Sequence, residues 1–313
     1  MNFNLWHQHD IRDYIFRLTD EEKTKIGVLP KEYTIIKDLP KIQNQGDETN
    51  CVGIVLATVK YYQELQDDKT IIEFEPDFVY DLRPKFNDNK NGMDFNDAFK
   101  ILKKDGCLPT KYYKKYCSQR DKIKNSYYLW RGDKKRAKKE QNLLNVYREL
   151  AQQYVISSYA KIQTLEYLKY AIYCYGIVVV GLPVYNRETN FWIQRKSDKL
   201  LGGHACVLIG YNDAEQCFVL RNSWGESYGI RGYSCFPYRD FGVHMAMYVC
   251  LDEDTDLNVV NKILQYEETA VAPTNAARRG RLSITAKQIE KDEEEEIDIK
   301  EIVKQMKLKK QNV

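Results

Sequence analysis

A chain of 313 residues, 43% hydrophobic, 12% aromatic and 30% charged, can bury a sizeable core and suits one large domain or two closely packed lobes. Its formal net charge of +3 is too small to argue for nucleic acid or a membrane surface as a partner. No stretch approaches the ~20 consecutive apolar residues of a membrane span, and the opening residues, MNFNLWHQHDIRDYIFRLTDEEK, carry charges where a secretory signal needs an apolar centre. A cytoplasmic or otherwise intracellular location is therefore expected.

In chain order, residues 1–28 read as a short polar leader, partly helical and ending near Gly27. Pro30 and Pro40 discourage helix over 29–50, which is expected to be extended and loop-like. From Cys51 to about residue 65, Val52, Val55, Leu56, Val59 and Tyr62 recur at helical spacing. That periodicity predicts a buried helix whose first turn carries Cys51. A second helix is predicted over 94–104, stopped by Gly106 and Pro109. Residues 118–165 are charged and helix-favouring, and the run Lys134, Lys135, Arg136, Lys138, Lys139 reads as a solvated helix face rather than a nucleic-acid patch.

From about 165 a helix, LEYLKYAIYCYG, leads into the apolar strand IVVVGLPV, and HACVLIGY, CFVLRN and GYSCFPY follow as further strands. A helical first half and a strand-rich second half, with sequential strands adjacent, predict an α+β fold with an antiparallel sheet. Residues 1–28 are expected to be a leader, 29–252 the globular domain and 253–313 a charged tail. In that tail, 272–283 (APTNAARRGRLS) reads as linker and 292–296 as an acidic block before a lysine-rich amphipathic end. The tail is expected to be disordered or to form a helix that binds an unidentified protein partner.

The eight cysteines (51, 107, 117, 174, 206, 217, 235, 250) never form a CxxC pair. A structural zinc site is not expected, and most of the thiols read as reduced small hydrophobes. One of them stands apart. A thiol attacks carbonyls as the thiolate, and a helix N-terminus with a nearby imidazolium lowers its pKa. Cys51 is predicted at a helix start, after a polar loop in which Gln45 sits six residues earlier. A Gln45 side-chain amide and the Cys51 N–H together could form an oxyanion hole. Of the four histidines, His7 and His9 lie in the leader and His244 after the last clear strand signals. His204 follows Gly202-Gly203 at the entry to an apolar strand. Asn222 comes one hairpin later, in RNSWGESYG, where a neutral amide can orient an imidazole and Trp224 can shield that bond from water.

With Asn44-Gln45-Gly46 before Cys51, Gly203-His204-Ala205 before Gly210-Tyr211, and Arg221-Asn222-Ser223-Trp224-Gly225 before Gly229, Gly232 and Tyr233, the sequence resembles the papain-like (C1-type) cysteine peptidases over roughly 29–250. The candidate nucleophile, base and amide are roughly 150 and 18 residues apart, as in that family. The resemblance implies a two-lobe fold and peptide-bond hydrolysis through an acyl-enzyme. Cys51, His204, Asn222 and Gln45 would be catalytic, and Gly92, Met93, Gly203 and Trp224 would bind substrate. It implies no metal and no organic cofactor.

The pattern departs from the family at Glu48, where a half-cystine is usual, at Val52, where a tryptophan usually follows the nucleophile, and at Tyr228, where the asparagine motif has its second tryptophan. Glu48 removes a disulfide, Val52 alters the wall expected around the thiolate, and Asp47 and Glu48 bring carboxylates near it. The segment PDFVYDLRPKFNDNKNGMDFNDAFKILKKDGCLP resembles non-secreted microbial members more than lysosomal cathepsins. Two readings of the leader stay open: Trp6, Tyr14, Ile15, Phe16 and Leu18 lie across the cleft as an inhibitory segment, or the leader packs on one lobe. The alternative to an active peptidase is a weak or inactive relative that keeps the cleft as a peptide-binding or scaffold module.

Overall fold

A computed structural model of the chain describes residues 14–68, 71–83, 92–124 and 134–252. Trp6, His7, His9 and the whole segment expected to be a charged tail lie outside those residues.

The helices come mostly first. They are α1 (Asp20–Ile26), α2 (Cys51–Asp68), α3 (Pro76–Asp81), α4 (Phe95–Lys104), α5 (Thr110–Lys124), α6 (Lys134–Ala151) and α7 (Leu165–Tyr175). The strands are β1 (Glu32–Thr34), β2 (Ser158–Lys161), β3 (Val178–Val184), β4 (Gly202–Asn212), β5 (Cys217–Arg221), β6 (Tyr233–Pro237) and β7 (Ala246–Leu251). They form one antiparallel sheet in the order β2-β7-β3-β4-β5-β6, with β1 added to β4. The result is the expected α+β architecture. No described helix is long and apolar enough to cross a membrane.

Local signals explain the element ends. Thr19 caps α1 in a reciprocal capping box with Glu22, and Gly27 ends it. Asp94 caps α4 by accepting from the Asn96 N–H. Helix α6 begins at the basic run, and Lys134, Lys138 and Lys139 are exposed, as a solvated face requires.

The sheet is covered on both faces, which is why β3 and β4 read as near-continuous apolar runs. Alternation along β4 sorts its residues. Ala205, Val207 and Ile209 join the cluster with α2 and α4, while Cys206 and Leu208 join the one with α7. Strand β1 crosses β4 at Gly210, where a Cβ would stand 2.6 Å from the Tyr33 carbonyl oxygen. Gly53 does the same for helices: a Cβ there would lie 2.4 Å from the Pro76 oxygen, so its absence lets α3 press against the first turn of α2. Deeper in α2, the buried Lys60 ammonium bonds Asp252 (2.6 Å), Glu64 (3.1 Å) and the Val155 carbonyl (3.0 Å). This ties the helix to the end of β7.

Three differences from expectation have physical causes. Strand β2 lies inside the stretch 118–165 read as helix-favouring, because Ser158–Lys161 pairs with the β7 edge, and β7 itself carries no sequence signal, since AMYVCL is short and follows the irregular stretch 238–245. Cys217 and Cys235 are paired as a disulfide, contrary to the expectation of small reduced hydrophobes. Neighbouring strands β5 and β6 bring their Cα atoms within 5.8 Å. The other six cysteines are free. Of the two readings left open for the leader, residues 14–26 pack on the domain, whereas Val28 is 98% exposed. Ile15 bridges in parallel to Lys161, the Phe16 N–H donates to the Lys161 carbonyl (2.9 Å), and Lys23 pairs with Glu166 (2.8 Å).

Phe16 is fully buried, edge-on to Tyr167 and Tyr175. Phe16→Ala is therefore expected to destabilise the protein by about 3 kcal/mol in urea unfolding. An unchanged midpoint would mean that this strap contributes nothing to the fold.

Candidate active site

Three stretches of chain converge at one place. The loop 40–50 runs into α2, β4 brings His204, and the turn after β5 brings Asn222, Ser223 and Trp224. The loop is fastened to that turn through backbone atoms. The Gln45 N–H donates to the Ser223 carbonyl (2.9 Å) and the Gly225 N–H to the Gln43 carbonyl (3.2 Å). Arg221 donates from one guanidinium nitrogen to the carbonyls of Pro40 (2.7 Å) and Lys41 (2.9 Å), and from another to the Tyr233 hydroxyl (2.9 Å).

His204 is fully buried, and its Nε2 lies 2.8 Å from Asn222 Oδ1. The same oxygen accepts from the Ser223 N–H at 2.7 Å, which identifies it as the acceptor end of the amide. Nε2 must then carry the proton, and a neutral ring presents Nδ1 as its acceptor. Trp224 stacks on the imidazole, centroids 4.6 Å apart and planes 24° apart, and Phe191 packs edge-on at 5.7 Å. Burial pulls the His204 pKa down to about 4, opposed by the Asn222 hydrogen bond.

Cys51 opens α2 and is 9% exposed. Burial raises its pKa, while the backbone N–H groups of Ala205 and Val52 act in the other direction. Asp47 and Glu48, both exposed, are not among the groups that shift it.

Gln45 is 92% buried, accepts from the Ser223 hydroxyl (2.6 Å) and donates through Nε2 to the Glu48 carbonyl (2.9 Å). One Nε2 hydrogen is thereby used, and the amide carries a second.

The remaining predicted residues fall in different environments. Gly203 lies within β4, paired to Pro183, next to His204. Gly92 donates its N–H to the Tyr80 hydroxyl (3.1 Å). The Met93 side chain is buried in the same apolar cluster as Cys51 and Val52. Val52 is buried there too, so the residue after Cys51 faces the interior and not the open side of the thiol. Tyr228 still packs perpendicular to Trp224 (5.2 Å) and donates to the Thr189 carbonyl. Sequence reasoning missed Phe191, which sits in a long irregular loop, and Ser223, whose hydroxyl is indistinguishable from any turn serine until its partner is known.

Comparisons with known proteins agree on the fold and the family. Residues 41–249 match the family model described as papain family cysteine protease. An 83-residue stretch is 30% identical to an uncharacterized peptidase C1-like protein of Acanthamoeba polyphaga mimivirus, covering 24% of this chain and 27% of that one. The chain thus matches only about a quarter of that relative's length. Among solved structures, xylellain, a cysteine protease from Xylella fastidiosa, superposes with a TM-score of 0.62 at 23% identity, covering 80% of this chain and 96% of that one. A proCathepsin B from Trypanosoma congolense gives 0.58 at 13% identity, covering 80% and 86%.

The pairing of Gln45 with Ser223 generates a test. Ser223→Ala leaves a buried amide oxygen without its hydroxyl donor, at an expected cost of about 1–3 kcal/mol in urea unfolding. A loss below ~0.5 kcal/mol would show that this hydrogen bond does not hold Gln45 in place.

Proposed function

The chain belongs to the papain family of cysteine proteases, and we propose that within it Cys51 is the nucleophile, His204 the base and Asn222 the residue that orients His204, cleaving peptide bonds through an acyl-enzyme. The observation that carries this reading is the His204–Asn222 hydrogen bond. It leaves Nδ1 as the accepting nitrogen, on a strand whose next residue, Ala205, packs in the same apolar cluster as Cys51.

The chemistry follows from the electrostatics. Burial disfavours a lone thiolate and a lone imidazolium alike, so neither charge is stable by itself. Passing the Cys51 proton to His204 Nδ1 creates both at once, side by side, and no net charge enters the site. The N-terminal end of α2 and the Ala205 and Val52 N–H groups then face the sulfur. The thiolate attacks the peptide carbonyl carbon, and the carbonyl π pair moves onto its oxygen. The second hydrogen of Gln45 Nε2 and the Cys51 N–H receive that oxyanion. As the tetrahedral intermediate collapses, the C–N bond breaks and His204 returns its proton to the leaving amine. Water, deprotonated by His204, then attacks the thioester, and release of the acid restores the thiol. Trp224 keeps water off the His204–Asn222 bond throughout.

In this reading residues 29–252 are the peptidase domain and a peptide or protein is the substrate. Gly203 and Trp224 flank the scissile bond, and Gly92 offers backbone to the substrate. The leader strap of residues 14–26 belongs to the folded enzyme.

Two measurements test it. A peptidyl epoxide should alkylate Cys51, identified by peptide mass mapping, and Cys51→Ala should reduce cleavage of a mixed fluorogenic peptide library by at least ~1000-fold. A wild-type chain that neither labels nor cleaves would leave only the peptide-binding alternative. The pH profile is the second. Burial holds the His204 imidazole near 4, so kcat/KM should fall on acidification through about 4, where the ring takes up a proton and no longer accepts the thiol's. An acid limb near 6.5, that of a solvated histidine, would contradict the assigned environment of His204.

A further inference from the structure

We infer that Tyr80 is a positioning residue: its hydroxyl fixes the spacing between the nucleophile loop and the backbone at Gly92 on which a peptide substrate is held. The inference rests on the reading of Cys51 as nucleophile and Gly92 as substrate-binding backbone, and goes beyond it by assigning what keeps the two in register.

Helix α3 presents two polar side chains to the residues just before the nucleophile. Asp77 accepts from Asn50 Nδ2 (2.7 Å), and the Tyr80 hydroxyl hydrogen-bonds the Thr49 hydroxyl. Asp77 and Tyr80 are three residues apart, on one side of the helix. Thr49 and Asn50 are the last two residues before Cys51. The Tyr80 hydroxyl is also the acceptor for the Gly92 N–H at 3.1 Å. One phenolic oxygen therefore joins two segments more than forty positions apart in sequence, at the point where the chain has Glu48 and no disulfide to do so.

The hydroxyl is itself held from behind. The Arg83 guanidinium lies 3.7 Å from the Tyr80 ring centroid and donates to the Tyr80 carbonyl (2.7 Å). The side-chain-free Gly53 allows the α3 backbone to sit against the first turn of α2. Loop, α3 and Gly92 thus form one braced unit. A peptide bound through its backbone must place its carbonyl carbon within bonding reach of the sulfur. A misplacement of about 1 Å costs on the order of 100-fold in rate, so a bond that sets the Gly92-to-Cys51 spacing acts on catalysis without touching substrate.

The test compares two thiol reagents on the full chain. Iodoacetamide needs no backbone pairing, whereas a dipeptidyl epoxide does. Tyr80→Phe, which removes only the hydroxyl, is expected to slow epoxide inactivation about 10- to 100-fold while iodoacetamide alkylation of Cys51 stays within about 2-fold. For a fluorogenic dipeptide the loss should fall mainly on kcat. Thr49→Val should reproduce the pattern, Thr49→Ser should restore wild-type behaviour, and the Tyr80→Phe/Thr49→Val double variant should be no worse than either single. Equal slowing of both reagents, or of neither, overturns the role of Tyr80 while leaving Cys51 assigned. A wild type inert to the epoxide overturns the nucleophile assignment and this inference with it.

Discussion

Everything at the site depends on one clasp, the backbone seam between residues 40–45 and 221–225. The proposed nucleophile belongs to a helix and its proposed partners to a sheet, and the two are far apart in sequence. Arg221 gathers the carbonyls of Pro40 and Lys41, the Gln45 and Gly225 N–H groups close the seam, and the Ser223 hydroxyl holds the Gln45 amide. These atoms are largely buried. Each missing partner would leave a desolvated polar group, and that cost gives the seam its specificity of register. Without it, Cys51 and His204 would share only the packing of α2 against Ala205, Val207 and Ile209 of β4.

The same burial that makes the seam rigid shapes the chemistry. A fully enclosed imidazole with a pKa near 4 and a thiol pushed upward are each poor reagents alone. In the proposed mechanism they exchange a proton without importing net charge, with the N-terminal end of α2 beside the sulfur. The stacked Trp224 and edge-on Phe191 are part of this arrangement, since they exclude the water that would otherwise screen it.

Much of this was legible in the sequence because the chemistry sits at regular element ends. Helix α2 announced itself through Val52, Val55, Leu56 and Val59, α4 through Asp94 and Gly106, and β3 and β4 through unbroken apolar runs. His204 and Asn222 were legible through glycine and tryptophan neighbours. What escaped depends on distant partners. Strand β7 is recognisable only from the β2 and β3 edges that it joins, and the Cys217–Cys235 pair only from the β5–β6 register. The burial of Val52 follows from how α2 packs onto the sheet. Phe16 illustrates the limit: sequence marked it as an apolar residue in a polar leader, but only the groove between Tyr167 and Tyr175 decides where it goes.

The central claim, that the seam is what pairs Cys51 with His204, is most directly tested by the pH dependence of Cys51 alkylation by iodoacetamide in Arg221→Met, checked as folded by circular dichroism. In the wild type, reactivity should persist below the ordinary thiol pKa of about 8.5, because the neutral His204 ring accepts the thiol proton as the sulfur attacks. The account predicts that the variant stays folded and its profile moves up to an ordinary or higher thiol value. A folded variant that keeps the wild-type profile would contradict it.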